Sequence, residues 1–340
     1  IYSNQQLDPE LIQRASVNLG STDVDSPTAS ATGGTVNYIT RRPENEFGVI
    51  FQPSIGDFGY RRVFGLVDTG EFGPWGTTAW FSASKTVYDH FVGAGGVDKT
   101  QYNARIYQPL GDNGDFLSLT ANYNENRNSF IARKTLQQFN DGVAYNSGNT
   151  LPSALTNINP SNTGNIRGAS RFTLRDNLVL TIDPSFQYVL AHGGGTQTMS
   201  ETDPQLIGNS SAAGADLNRD GVINGATRVT LFRPNITNTH RYALTSSLIW
   251  DINDNNRLRV AYTYDNGRHR QTGQFGYIDA NGKPEDPFAG RNGTPVKLAD
   301  GTILRRRDRL SYAKLNQIAA EYRGNFFNDA ISLDLGVRAP

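Results

Sequence analysis

The chain has 340 residues, enough for one large β domain or two domains of ordinary size. Lys plus Arg and Asp plus Glu number 32 each, so the formal net charge is zero and bulk charge gives no argument for a nucleic-acid partner. Cysteine is absent, which excludes a disulfide framework, a thiolate metal site and a cysteine nucleophile.

The first 45 residues differ from the rest of the chain. The stretch from Ser21 to Gly34 is rich in small residues, and the Gly33-Gly34 pair leads into a short run from Thr35 to Thr40 that is the only predicted strand of this region. A strand that crosses a bilayer needs about 9–11 residues. We therefore expect residues 1–45 to pack inside a larger structure rather than extend its sheet.

From residue 46 onward the chain alternates apolar and polar residues, which is the period of a β-strand. The last strand places Ile331, Leu333, Leu335 and Val337 on one face. This pattern predicts an all-β protein with eleven consecutive strands, at 47–55, 60–68, 76–88, 100–108, 115–124, 168–174, 178–190, 239–250, 257–264, 312–325 and 330–338. No run of about 18 apolar residues exists, so no spanning helix is expected.

The connections between these strands are unequal. Three long polar stretches, 125–167, 191–237 and 265–311, alternate with short turns. Outer-membrane β-barrels have short turns at one end and long loops at the other, and they carry aromatic residues near both ends of the strands. Here Tyr123, Tyr188 and Tyr262 precede long stretches, whereas Trp250 precedes a turn. A soluble sheet with one solvated face remains an alternative on periodicity alone.

Two prolines do not fit a regular ladder. Pro53 and Pro184 each lie inside a predicted strand, where proline removes a hydrogen-bond donor. We expect a bulge at Pro184, or a group that satisfies the carbonyl left without a donor.

One segment has the residue types of a calcium loop. In "DLNRDGVING", Asp216, Asn218, Asp220 and Asn224 take the first, third, fifth and ninth positions, and Gly221 takes the sixth. The twelfth position is Thr227 instead of glutamate, so an Asx-rich surface loop is the alternative. Calcium is the one cofactor that the sequence suggests.

The remaining chemistry-bearing residues are few. The four histidines are scattered, which does not favour a zinc site. The basic run Arg305, Arg306, Arg307 and Arg309 suits either an anionic ligand or lipopolysaccharide phosphates, or a solvated loop end that pairs with nearby acids. No nucleophile or phosphate-loop motif is present.

The segment "ASATGGTVNYITRRP", followed at once by paired strands, resembles the junction between plug and barrel in TonB-dependent outer-membrane receptors of the siderophore-receptor type. The matching residues run from Gly33 to Pro43. The resemblance implies that residues 1–45 are the C-terminal part of a plug domain and residues 46–340 the N-terminal half of a 22-stranded transmembrane antiparallel β-barrel. The chain begins without Met and ends directly after a strand, so we expect an internal piece of a longer receptor.

The resemblance also implies a function and partners. Such a receptor is not an enzyme; it lies in the bacterial outer membrane and imports a scarce nutrient, with a ferric siderophore as the leading ligand. Its partners would be the TonB–ExbB–ExbD complex, a small extracellular iron chelate, the lipid bilayer and lipopolysaccharide. Two alternatives stay open: uptake of an oligosaccharide or cobalamin by the same architecture, and a soluble calcium-dependent extracellular β protein.

Overall fold

The computed structural model describes residues 7–19, 33–130, 134–143 and 151–340, so most of the stretch from Ser21 to Gly34 lies outside the described residues. Within this part of the chain there are two short α-helices, α1 (Leu136–Asn140) and α2 (Leu151–Thr156), three single-turn 3-10 helices (Pro9–Leu11, Pro204–Leu206 and Ala289–Arg291) and fifteen strands. The strands are β1 (Ile12–Leu19), β2 (Gly34–Thr40), β3 (Phe47–Ile55), β4 (Arg61–Phe72), β5 (Thr77–Asp89), β6 (Gly96–Leu110), β7 (Asp115–Asn128), β8 (Ser161–Arg175), β9 (Leu178–Ala191), β10 (Thr196–Ser200), β11 (Arg228–Phe232), β12 (Thr237–Asn253), β13 (Asn256–Gln271), β14 (Arg309–Phe326) and β15 (Ile331–Ala339).

The eleven predicted strands are confirmed and form one antiparallel sheet. Its order is β15-β14-β13-β12-β9-β8-β7-β6-β5-β4-β3, so each strand pairs with its neighbour along the chain except where β10 and β11 intervene. Because the neighbours are antiparallel, successive connections lie at opposite ends of the sheet. The short turns 73–76, 111–114, 176–177, 254–255 and 327–330 share one end, and the long connections share the other.

Several strands extend further than the sequence pattern predicted. The β6–β7 ladder continues to Val97 opposite Asn128, and the β13–β14 ladder continues to Gln271 opposite Arg309. The long connections are accordingly 129–160, 192–236 and 272–308. The extensions carry polar residues on both faces, so the backbone ladder persists where the apolar alternation that identified the strand has ended.

The two faces of the sheet are inverted relative to a soluble protein. Apolar side chains point to the exposed face, where Leu335 is 56% and Val337 63% exposed. Val337 pairs with Ala320, which pairs with Val260, so the apolar face continues across strands. The opposite face is polar and buried, and includes Ser247, Thr263, Gln317 and Glu321. Large exposed apolar surfaces are rare on soluble monomers and mark contact with lipid or another apolar surface.

The ladder opens at Pro184 instead of forming a simple bulge. Paired residues between β8 and β9 stop at Arg167–Ser185 and resume at Phe172–Leu180, five residues further on in each strand. Side chains replace the missing bonds: the Ser170 N–H donates to Asp183 Oδ1 at 2.8 Å, and the Ile182 N–H donates to Ser170 Oγ at 2.8 Å. Pro53 lies in β3, an edge strand of this sheet, where proline is tolerated.

The N-terminal segment forms a small sheet of its own. β1 pairs antiparallel with β2 from Leu19 opposite Gly34 to Ile12 opposite Thr40, and neither strand joins the eleven-stranded sheet. The sequence pattern indicated Thr35 to Thr40 but not β1. β1 is a strand because it pairs with β2, and a local sequence pattern carries no information about that pairing.

Candidate functional site

A buried ionic cluster holds the N-terminal segment against the polar face of the large sheet. Arg62 on β4 donates to Asp8 Oδ1 at 2.9 Å and to Glu10 Oε2 at 2.8 Å. Ser84 on β5 donates to Asp8 Oδ1 at 2.7 Å, and Asn103 on β6 donates to Asp8 Oδ2 at 3.0 Å. Asp8 is only 1% exposed; Arg62 compensates its buried charge, and side chains of three neighbouring strands donate to its carboxylate.

Apolar contacts adjoin this cluster. Leu11 is fully buried and packs with Phe64, Leu66 and Trp80, which lie on the same face as Arg62. These are the large apolar side chains of β4 and β5 that turn towards the polar face. They are buried there because the N-terminal segment covers them.

A second set of hydrogen bonds fixes the residues that follow β2. Trp80 Nε1 donates to the carbonyl of Arg41 at 3.1 Å, and Arg105 Nη1 donates to the carbonyl of Thr40 at 2.7 Å. The Arg41 side chain in turn forms an ion pair with Asp68 at 2.8 Å. Residues 7–11 and 40–44 are thus both bonded to strands β4 to β6. The sequence pattern did not reveal these contacts, since their partners lie 27 to 95 residues apart.

On the opposite face, a shallow apolar trough of about 940 Å³ crosses strands β3 to β9. It is lined by small residues, among them Gly65, Ala83, Ala104, Ala121 and Gly164, alternating with aromatic residues, among them Phe51, Phe81, Tyr102, Tyr123 and Tyr188. The trough belongs to the exposed apolar face, so its lining favours contact with hydrocarbon.

Two long connections fold together into a unit that we call the loop module, comprising residues 192–236 and 272–308. Its apolar core contains Met199, Leu206, Ala215, Leu217 and Leu231 from the first connection, and Phe275, Val296 and Leu304 from the second. β10 and β11 pair antiparallel within it. These loops are therefore packed structures with a core of their own, which their polar composition did not predict.

His192 lies where three connections meet. Its backbone N–H donates to the carbonyl of Pro160 at 3.2 Å, and its Nε2 donates to the carbonyl of Pro287. The rings of Phe232 and Phe288 lie edge-on at 5.4 and 5.7 Å. Burial disfavours the charged imidazolium and lowers the pKa of His192 to about 4.

The predicted calcium loop is a network of side chains bonded to backbone. Asp216 Oδ1 and Oδ2 accept the N–H groups of Arg219 and Gly221 at 2.6 and 2.8 Å. Asp220 accepts the N–H of Val222 at 2.8 Å and the amide of Asn218 at 2.8 Å, and these bonds lower the pKa of Asp220. Asn224 Oδ1 accepts the N–H of Ala226, as in an Asx turn.

Among the described residues, no group of three or more His, Asp or Glu side chains has an arrangement that would hold a metal ion. The calcium assignment for Asp216, Asn218, Asp220 and Asn224 stays a prediction. Terbium luminescence would test it: the prediction requires saturable binding that Asp216→Asn abolishes.

The basic run that leads into β14 divides into two groups. Arg305 and Arg270 both form ion pairs with Asp308, and the hydrogen bond from Arg270 lowers the pKa of that carboxyl. Arg309 Nη2 donates to Gln271 Oε1 at 2.5 Å. Arg306, with Arg307 next to it in the chain, lies instead near Arg233, which the sequence pattern had not singled out.

Comparison with solved structures identifies the fold. The pyoverdine outer-membrane receptor of Pseudomonas aeruginosa bound to pyoverdine matches 98% of this chain with a TM-score of 0.64 and 15% identity. The siderophore receptor PiuA of Acinetobacter baumannii matches 97% with a TM-score of 0.57 and 12% identity. The chain has the fold of these receptors.

The ferric enterobactin receptor PfeA of Pseudomonas aeruginosa agrees, with a TM-score of 0.55 and 13% identity over 96% of this chain. The chain spans about half the length of these structures: 46% of the pyoverdine receptor, 50% of PiuA and 44% of PfeA. No protein-family model and no curated protein matches the sequence. Within the described residues, no helix is long and apolar enough to cross a membrane.

Proposed function

We propose that this chain is part of a bacterial outer-membrane receptor that imports a scarce nutrient, with a ferric siderophore as the leading ligand. The inverted sheet supports this proposal most directly, since its apolar side chains are exposed and its polar side chains are buried. A sheet of this kind is stable when the apolar face meets hydrocarbon. The shared fold with siderophore receptors supports the choice of ligand.

In this proposal residues 1–45 are the end of a plug domain and residues 46–340 are part of the barrel wall. Three observations support the division: β1 and β2 form a separate sheet, Asp8 and Glu10 bond to Arg62, and the exposed apolar face lies on the opposite side. The plug would then occupy the polar interior, and the bilayer would surround the exterior.

The loop module and the connection 129–160 share the end of the sheet that would face the cell exterior. Ligand binding there needs no covalent chemistry, so the proposed protein is a transporter and not an enzyme. Energy would come from the TonB–ExbB–ExbD complex, which would rearrange the plug and open a path. Lipopolysaccharide would contact the barrel at its outer rim.

The experiment is iron uptake in a strain without its own siderophore receptors. Expression of the full-length protein should allow uptake of a radiolabelled ferric siderophore that stops when TonB is deleted. Uptake or growth that responds only to an oligosaccharide or to cobalamin would replace the ligand and keep the architecture. Recovery of the protein in the soluble fraction, with calcium-dependent stability, would refute the membrane assignment.

A further inference from the structure

Two distant segments of the loop module, which together carry three arginines, meet at Gly273. Arg233 directly follows β11, and Arg306 and Arg307 lie shortly before β14. Gly273 lies between the segments: a Cβ on it would be 2.7 Å from the carbonyl oxygen of Pro234 and 3.0 Å from the Cβ of Arg306. The φ of Gly273 is +74°, in the left-handed region that glycine adopts freely. Gly273 thus permits the close approach of the two segments.

The backbone of each arginine is fixed. The Arg306 N–H donates to the carbonyl of Gly273 at 2.8 Å, the Arg307 N–H to that of Thr272 at 2.9 Å, and the Arg233 N–H to that of Gly195 at 2.8 Å. Arg306 is exposed, whereas Arg233 and Arg307 are half-buried. The backbone that carries the three side chains is therefore fixed by hydrogen bonds, and the side chains remain accessible to solvent.

The acids nearest in sequence are already engaged. Asp308 pairs with Arg270 and Arg305, and Asp300 accepts the N–H groups of Asn209 and Thr302 at 2.8 and 2.9 Å. In the described part of the chain, no ion pair includes Arg233, Arg306 or Arg307. Partial burial, together with the positive charges of Arg233 and Arg307, lowers the pKa of Arg306.

Such a cluster concentrates positive potential at one place on a chain whose net charge is zero. Guanidinium groups bind carboxylate and phosphate oxygens through paired, charge-assisted hydrogen bonds. An anion with several oxygens would relieve the repulsion among the three cations.

We propose that Arg233, Arg306 and Arg307 form a binding site for the oxygen atoms of a multiply charged anion. The anion has two sources with the same chemistry: a soluble anionic chelate, or the phosphate groups of a membrane glycolipid. The site rests on contacts within the loop module, and it stands whether or not the transported nutrient is a siderophore.

The test is calorimetric titration of the purified full-length protein, in detergent and free of lipopolysaccharide, with citrate and with pyrophosphate. Each of Arg233→Gln, Arg306→Gln and Arg307→Gln should weaken binding by about tenfold, the usual scale for a hydrogen bond to a charged group. Increasing ionic strength should weaken binding by the wild type. The matched control is Arg305→Gln, because Asp308 already neutralises that charge; its affinity should stay within about twofold of wild type.

The two sources are separated by a second titration with phosphatidylcholine vesicles that contain lipid A. Arginine-dependent binding of the vesicles, without binding of the soluble anions, supports the site and assigns it to a membrane phosphate. Unchanged thermal unfolding of the variants shows that the loop module remains folded. The proposal is overturned if the triple variant binds as the wild type does, or if Arg305→Gln weakens binding as much as Arg306→Gln.

Discussion

The contact between the N-terminal segment and the sheet makes a sharp prediction for Arg62→Met. Methionine keeps the length and apolar contacts of the arginine stem but removes the cation that faces Asp8 and Glu10. Asp8 is 1% exposed, so its carboxylate would be left in a buried site without a positive partner. Removing one partner of a buried ion pair costs about 3–5 kcal/mol.

The lower end of that range applies here, because Asp8 keeps its hydrogen bonds from Ser84 and Asn103. A loss of about 3 kcal/mol raises the population in which the segment is detached by roughly a hundredfold. Hydrogen exchange reports that population directly. The Leu11 amide, which bonds to the carbonyl of Asp8 at 3.0 Å, should exchange roughly a hundredfold faster in the variant.

Two controls separate this effect from general damage. Lys85→Met breaks the ion pair with Asp98, in which both side chains are about half exposed, and should leave exchange at Leu11 nearly unchanged. Adding Asp8→Asn to Arg62→Met removes the stranded charge and should recover part of the protection. Equal exchange at Leu11 in Arg62→Met and wild type would refute the claim that this ionic cluster holds the segment.

Three further predictions concern the exposed face, the loop module and the topology. Leu333→Arg should lower the free energy of unfolding in a reconstituted bilayer by about 2–4 kcal/mol if the site is near the midplane, while Asp334→Asn on the polar face should be tolerated. Urea titration measures both values, and an equal loss of free energy in the two variants would contradict the assignment of the faces. Burial lowers the pKa of His192 to about 4 in the folded protein, whereas an unfolded chain protonates a histidine near pH 6.5. Because the unfolded state therefore binds this proton first as the pH falls, the loop module should lose stability between about pH 6.5 and 4. His192→Gln should remove that pH dependence, as measured by hydrogen exchange at a series of pH values. Cysteine at Asn281 should react with an impermeant thiol reagent on intact cells, and cysteine at Asn328 should not; the reverse result would invert the topology.

The sequence predicted the large sheet well because its signal is local. A strand with one apolar face repeats every two residues, and all eleven strands were found by that period. Strand ends were missed where both faces are polar, as at the ladder between Gln271 and Arg309. The pairing of β1 was missed for a different reason, because it depends on β2 across a separation that the local pattern does not record.

The candidate site was less accessible to sequence reasoning. Arg62 lies 54 residues from Asp8, and Arg233 lies more than 70 residues from Arg306, so only the fold brings either pair together. Within the basic run, Arg305 forms an ion pair with Asp308 and Arg306 does not, and the sequence pattern could not distinguish the two arginines. The core of the loop module was likewise hidden, since its apolar residues are spread singly through polar stretches.

In the proposed receptor the apolar face of the sheet meets lipid and the polar face does not. Spin labels placed one at a time from Leu258 to Thr263 on β13, in a cysteine-free background, test this directly in a reconstituted bilayer; the 340 residues themselves contain no cysteine. We expect a period of two: collisions with lipid-soluble oxygen should be highest at Leu258, Val260 and Tyr262, and collisions with a water-soluble nickel complex should be higher at Arg259 and Thr263. Oxygen collisions that are uniform along β13, or highest at Arg259 and Thr263, would contradict it.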